Sequence, residues 1–240
     1  MEPDRSQAAA LPGAPPRRMS LVELGVRLLG FIFVVFAGQF GAAIAVAAIG
    51  FDHMLVLAAF STGVAGLAAN WAALHVFEHL PFLAVGLYPS TAPRNGLIGI
   101  ALGALAAAAV IGTMVAAGWA EWQSSEAMGL VPAGALLILL AVASLGEELV
   151  FRGYGLQILI ARFGAAGPIL ITSILFVLMH SFNPNTSLLA LTNTALWGVV
   201  LGMALWRSQD LWLATGLHVS WNGRQRALGA TLSGGKIELA

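Results

Sequence analysis

The chain predicts an all-α fold: a polytopic transmembrane helix bundle of about seven membrane segments, the last of them short. Three observations predict it. Of the 240 residues, 59% are hydrophobic and only 9% are charged, where a soluble domain carries about a quarter charged residues. Mean hydropathy is +0.87. The few charges fall between apolar runs, several of them at the ~20 residues a helix needs to cross the hydrocarbon. The 28 glycines suit close helix-helix contact in lipid. There is no cysteine, which excludes disulfides and thiolate metal sites. A net charge of zero argues against nucleic acid as a partner.

Residues 1–19 read as a disordered lead-in, rich in Pro and Ala, and residues 20–240 as one transmembrane helical domain. Arg17 and Arg18 are the expected anchors of the first span. No charge falls between Arg27 and Asp52, too long an apolar run for a signal peptide. The second span is expected at about Met54 to Phe77. Glu78, His79, Pro81, Pro89, Pro93 and Arg94 mark the loop after it. The third is expected from Gly96 to Ala120, then a short loop with Glu121, Glu126 and Pro132. A fourth, long helix should run unbroken from Ala133 to Ala161. Phe163-Gly164 to Gly167-Pro168 is a turn, with Gly closing one helix and Pro opening the next. The fifth span covers Pro168 to Ser181, the turn Asn183-Pro184-Asn185-Thr186 follows, and the sixth covers Ser187 to Trp206. The last apolar stretch, Leu211 to Gly223, is too short to span comfortably. Lys and Arg recur on alternate connections, which places the N-terminus inside. Arg224, Arg226 and Lys236 break that alternation if the last segment spans fully.

The chemistry lies in the fourth helix. Glu147, Glu148 and Arg152 stand within an otherwise apolar run of about 46 Å. Charge at membrane depth costs about 3 kcal/mol per group or more, so such groups default to function. Glu148 and Arg152 are spaced i, i+4 with the acid first, the favourable order for an ion pair. Glu147 points about 100° away and is left to face a cavity. On the next helix Phe176 and His180 share a face. His218 and Asn222 share another. Glu147 and His180 could hold and deprotonate a water, and His218 and Asn222 could stabilise an oxyanion. No serine is paired with a base at a convincing spacing, so water is the better nucleophile.

Glu147-Glu148-x-x-x-Arg152, then Phe176-x-x-x-His180, then His218-x-x-x-Asn222, in that order on successive apolar segments, resemble the CAAX-prenyl protease and bacteriocin-processing family (the CPBP or Abi family). The resemblance covers about Val131 to Asn222, with a catalytic core at about 131–223. It implies an intramembrane endopeptidase acting on membrane-associated, prenylated or bacteriocin-like substrates in a bacterial cytoplasmic membrane. Glu147 and His180 would position the water, and His218 and Asn222 the oxyanion. Glu148, Arg152 and Phe176 would support them. Partners would be a membrane protein or lipidated peptide and the bilayer.

Three alternatives stay open. Glu147, His180 and His218 also make a His₂Glu set for Zn²⁺, although the metal-free mechanism is favoured. His75-x-x-Glu78-His79 matches an inverted zinc-protease string, but it lacks a downstream third ligand and reads as interfacial polar residues. Finally, the same residues could serve a non-catalytic immunity or scaffold protein, or a proton-coupled transporter. The lack of inverted repeats argues against transport.

Overall fold

The computed structural model describes residues 19–50, 54–118, 129–183 and 186–227, the last four without their side chains. Among these residues the chain is wholly helical. The elements are α1 (Leu21–Ala48), α2 (Met54–Ala73), a π-turn (Leu74–Glu78), a 3₁₀ turn (Phe82–Val85), α3 (Ala92–Ala116), α4 (Leu130–Arg152), α5 (Tyr154–Phe163), α6 (Ala166–His180), α7 (Leu188–Ser208) and α8 (Leu211–Ala227). Five helical stretches are long and apolar enough to cross a membrane, with α4 and α5 counted together, and α6 is a shorter apolar helix. This is a multi-pass membrane protein. The expected lead-in, the loop with Glu121 and Glu126, Pro184, Asn185 and Lys236 lie outside the described residues, as do the side chains of Arg224 and Arg226.

Small residues decide the packing. On α2, Gly63, Gly66 and Asn70 form one stripe. On α4, Gly146, Leu149 and Gly153 form another. A Cβ on Gly146 would lie 2.8 Å from the Gly63 nitrogen, and one on Gly66 would lie 2.8 Å from the Leu149 Cβ. The contacts ascend together along both helices, so α2 and α4 run side by side in the same direction. Glycines pair α3 with α8 in the same way: a Cβ on Gly103 would meet the Leu217 carbonyl oxygen at 2.6 Å. Gly198 and Gly202 of α7 meet Ser173 and Ile169 of α6 in descending order, which makes that pair antiparallel. In lipid, where tails are as apolar as leucine, such close backbone approach supplies the packing energy.

The fourth span differs from the expected unbroken helix. It breaks at Gly153, between α4 and α5. The cause lies across the interface, in the Asn70 side chain. Its amide nitrogen donates to the Leu149 carbonyl at 2.8 Å, and its amide oxygen accepts from the Tyr154 N–H at 2.7 Å. A Cβ at Gly153 would collide with both the Asn70 oxygen and the Leu149 carbonyl.

The first span also differs, since α1 begins at Leu21 and takes Glu23 and Arg27 into the helix. Arg27 is buried, paired with Glu23 at 2.7 Å, with Glu78 of the π-turn, and with the Tyr154 hydroxyl at 3.3 Å. Tyr154 in turn donates to Glu78 at 2.9 Å. The last stretch runs past Gly223 to Ala227. Its start is capped by Asp210, whose carboxylate accepts from the Trp212 N–H at 2.6 Å and from Asn95 of α3 at 2.9 Å. That is the side-chain acceptor a helix N-terminus requires.

Candidate active site

The shortness of α6 decides how the glutamates and the histidines meet. Read as one unbroken span, the glutamate helix would place Glu147 near its middle and His180 at the far end of its own helix. In the structure α6 is 15 residues, about 22 Å long, and α5 is 10 residues, about 15 Å. Folding back from the turn at Gly164, α6 retraces α5 and then about 7 Å of α4, which is some five residues. Counted back from Arg152, five residues end at Glu148, next to Glu147. The short α6 therefore stops level with the glutamates.

Glu148, buried to 0% exposure, is the hub of the site. Its Oε1 accepts from Arg152 at 3.1 Å and contacts His218 Nδ1 at 2.8 Å. Arg152 also donates to the Gly198 carbonyl of α7 at 3.3 Å, and its guanidinium lies 4.5 Å from the centroid of the Phe176 ring. One acid thus joins α4 to α8, and one base joins α4 to α6 and α7. Phe176 lies against the His180 ring at 4.3 Å and edge-on to that of His218 at 6.1 Å.

Glu147 is half-buried and held differently. Its Oε2 lies 3.8 Å from His180 Nε2 and 3.7 Å from His218 Nε2. Both separations exceed a direct hydrogen bond, which closes at about 3.2 Å for nitrogen and oxygen. They suit a bridging water. Oε2 has no hydrogen-bond partner, and neither do Glu148 Oε2, Ser144 Oγ or Thr215 Oγ1, all of them buried. Buried polar atoms are normally paired, so unpaired ones grouped on the faces around one site mark a place for water or a polar ligand.

The ring nitrogens can be assigned from their partners. His180 Nδ1 lies 2.8 Å from the Phe176 carbonyl oxygen. A carbonyl only accepts, so Nδ1 carries the hydrogen, and the neutral ring presents a bare Nε2 to Glu147. His218 Nδ1 faces an Arg-paired carboxylate, so it too is a donor. With two acids and Arg152 in contact, an imidazolium at His218 makes the cluster electrically neutral.

Glu147, Glu148, Arg152, Phe176, His180 and His218 are thus brought together. Asn222 sits one turn beyond His218 on the same face of α8, half-buried, and is not among the groups touching Glu147 or Glu148. Among the described residues, no three His, Cys, Asp or Glu side chains are arranged to hold a metal ion. The His75 string is dispersed. His75 is exposed and stacks on Trp71 with ring centroids 5.4 Å apart, while Glu78 turns inward to Arg27.

Residues 129–224 match the family described as Type II CAAX prenyl endopeptidase Rce1-like. That stretch of the chain is Rce1-like. It contains every residue of the glutamate-histidine cluster, whereas α1, α2 and α3 lie outside the match. The matched family is one of CAAX-type proteases, and the match covers two-fifths of the chain. Comparison with curated proteins and with solved structures gives no match.

Several residues that build the site escaped the sequence reading. Asn70 carried a signal, as an amide in an apolar span is usually there to bridge helices. Ser144 and Thr215 carried none beyond helical spacing from Glu148 and His218. Arg27 and Glu78, which build a separate cluster, each looked like a span boundary.

Proposed function

We propose that this protein is an intramembrane endopeptidase that hydrolyses a peptide bond of a membrane-associated, prenylated substrate with a water activated by Glu147. The observation that carries this reading is the position of Glu147 Oε2, 3.7–3.8 Å from two imidazole nitrogens on two other helices. The water donates one O–H to Glu147 and the other to the bare Nε2 of His180. As its oxygen attacks the carbonyl carbon, Glu147 takes the proton. The oxyanion accepts from the His218 imidazolium Nε2–H and from the Asn222 amide, donors matched to charge that develops only in the transition state. Glu147 then passes its proton to the amine nitrogen as the C–N bond breaks. Glu148 holds His218 in place and charged, and Arg152 holds Glu148. We place the N-terminus on the cytoplasmic side of the membrane, following the distribution of Lys and Arg.

The test uses purified protein in lipid. Its substrate is a farnesylated peptide ending in Cys-aliphatic-aliphatic-X, alongside the unprenylated peptide. Wild type is expected to release the C-terminal tripeptide from the farnesylated form, with or without a chelator, and His180→Ala is expected to lose that release. Cleavage that survives His180→Ala contradicts the reading. Activity abolished by chelator and restored by zinc contradicts the metal-free mechanism.

A further inference from the structure

We infer that Asn70, on α2 and outside the Rce1-like stretch, is a positioning residue of the glutamate site. The inference rests on the hydrolytic reading above. A helix end leaves carbonyls without partners, and a helix start leaves N–H groups without partners. At Gly153 both faults fall at one point, buried in the bundle. The Asn70 amide corrects both, donating to the Leu149 carbonyl and accepting from the Tyr154 N–H, and it also donates to Gly66 of its own helix at 2.7 Å. A primary amide offers its donor and its acceptor on two separate atoms of one short, neutral side chain. Asn70 is 0% exposed, so water cannot substitute for it.

Nothing within α4 or α5 supplies these bonds. The break, and with it the seating of the α4 end that carries Glu147 and Glu148, is held from α2. Leu149, the residue Asn70 holds, directly follows Glu148 and lies half a turn from Glu147. A shift of the α4 end by a fraction of a turn would move both carboxylates relative to His218 and His180.

The experiment compares wild type, Asn70→Leu and Asn70→Asp in lipid. Leucine keeps the number and branching of the side-chain heavy atoms and removes both bonds. On the farnesylated peptide, Asn70→Leu is expected to lower kcat about a hundredfold with KM within about twofold, the cost of misplacing groups that bind substrate no differently. Asn70→Asp restores the donor and acceptor pair only while its carboxyl is protonated. Its rate relative to wild type at the same pH is therefore expected to fall as pH rises. Two further readouts need no turnover. Amide exchange at Tyr154 should quicken in Asn70→Leu, and the ring-nitrogen resonances of isotope-labelled His180 and His218 should move. If wild type cleaves no peptide, the hydrolytic reading fails, and the ring resonances still decide the placement. Unmoved resonances in Asn70→Leu, or wild-type kcat in that variant, overturn the inference.

Discussion

Two charged clusters lie within the helices of this protein, and they are built on opposite principles. In the first, Arg27 is enclosed by Glu23, Glu78 and the Tyr154 hydroxyl, with the Phe77 ring 5.5 Å away. It ties α1 to the π-turn and to α5, and no atom of it is among the buried unpaired ones. In the second, Glu148 and Arg152 are as tightly held, but Glu147 Oε2 and Glu148 Oε2 are buried without partners. A closed cluster spends its charges on one another and fixes helices. An open cluster keeps an acid poised for something that arrives. Charge inside a membrane helix is therefore not enough to mark a reactive site; the unpaired atoms mark it.

The largest effect expected from this contrast is at Arg152. Arg152→Met leaves the Glu147–Glu148 pair one cation short and should cost about 3–5 kcal/mol of stability, because breaking one half of a buried pair strands the other. Chemical denaturation in mixed micelles checks it, and a loss under about 1 kcal/mol would show that the site is not closed around Glu148. Arg27→Met should cost less, about 1–3 kcal/mol, since Arg27 and Glu78 retain some exposure. Replacing Arg27 and Glu78 together with apolar residues should recover part of that loss. Peptidase activity per folded molecule should stay within about twofold in these Arg27 variants. A selective loss of kcat there would make the closed cluster part of the chemistry. The smallest effect is at His75. Being exposed and stacked only on Trp71, His75→Ala should change stability by no more than about 0.5 kcal/mol and leave activity unchanged.

What the sequence revealed and what it hid follow from how far each interaction reaches. Glu148 with Arg152, and Phe176 with His180, lie one turn apart on a single helix, so spacing alone juxtaposes them. The apolar runs between charges located most helix bounds within a few residues. The break at Gly153 was hidden because its cause, Asn70, sits on another helix far away in sequence, and a glycine inside an apolar run is common in membrane helices. The start of α1 was misread for a related reason. Arg27 looked like the edge of a span because its neutralising partner, Glu78, comes from the loop end of α2. Pairing across helices makes a buried charge possible, and no single segment displays it.

The account turns on Glu147. Its central measurement is the rate at which Glu147→Gln hydrolyses the farnesylated peptide, taken with its thermal unfolding midpoint beside wild type. Glutamine keeps the shape and the polar contacts but accepts no proton. The expected result is a fall in kcat of about a thousandfold, in the range for removing a general base, with the midpoint within about 3 °C of wild type. A variant that turns over within about tenfold of wild type would contradict the account, because Glu147 would then not be the base.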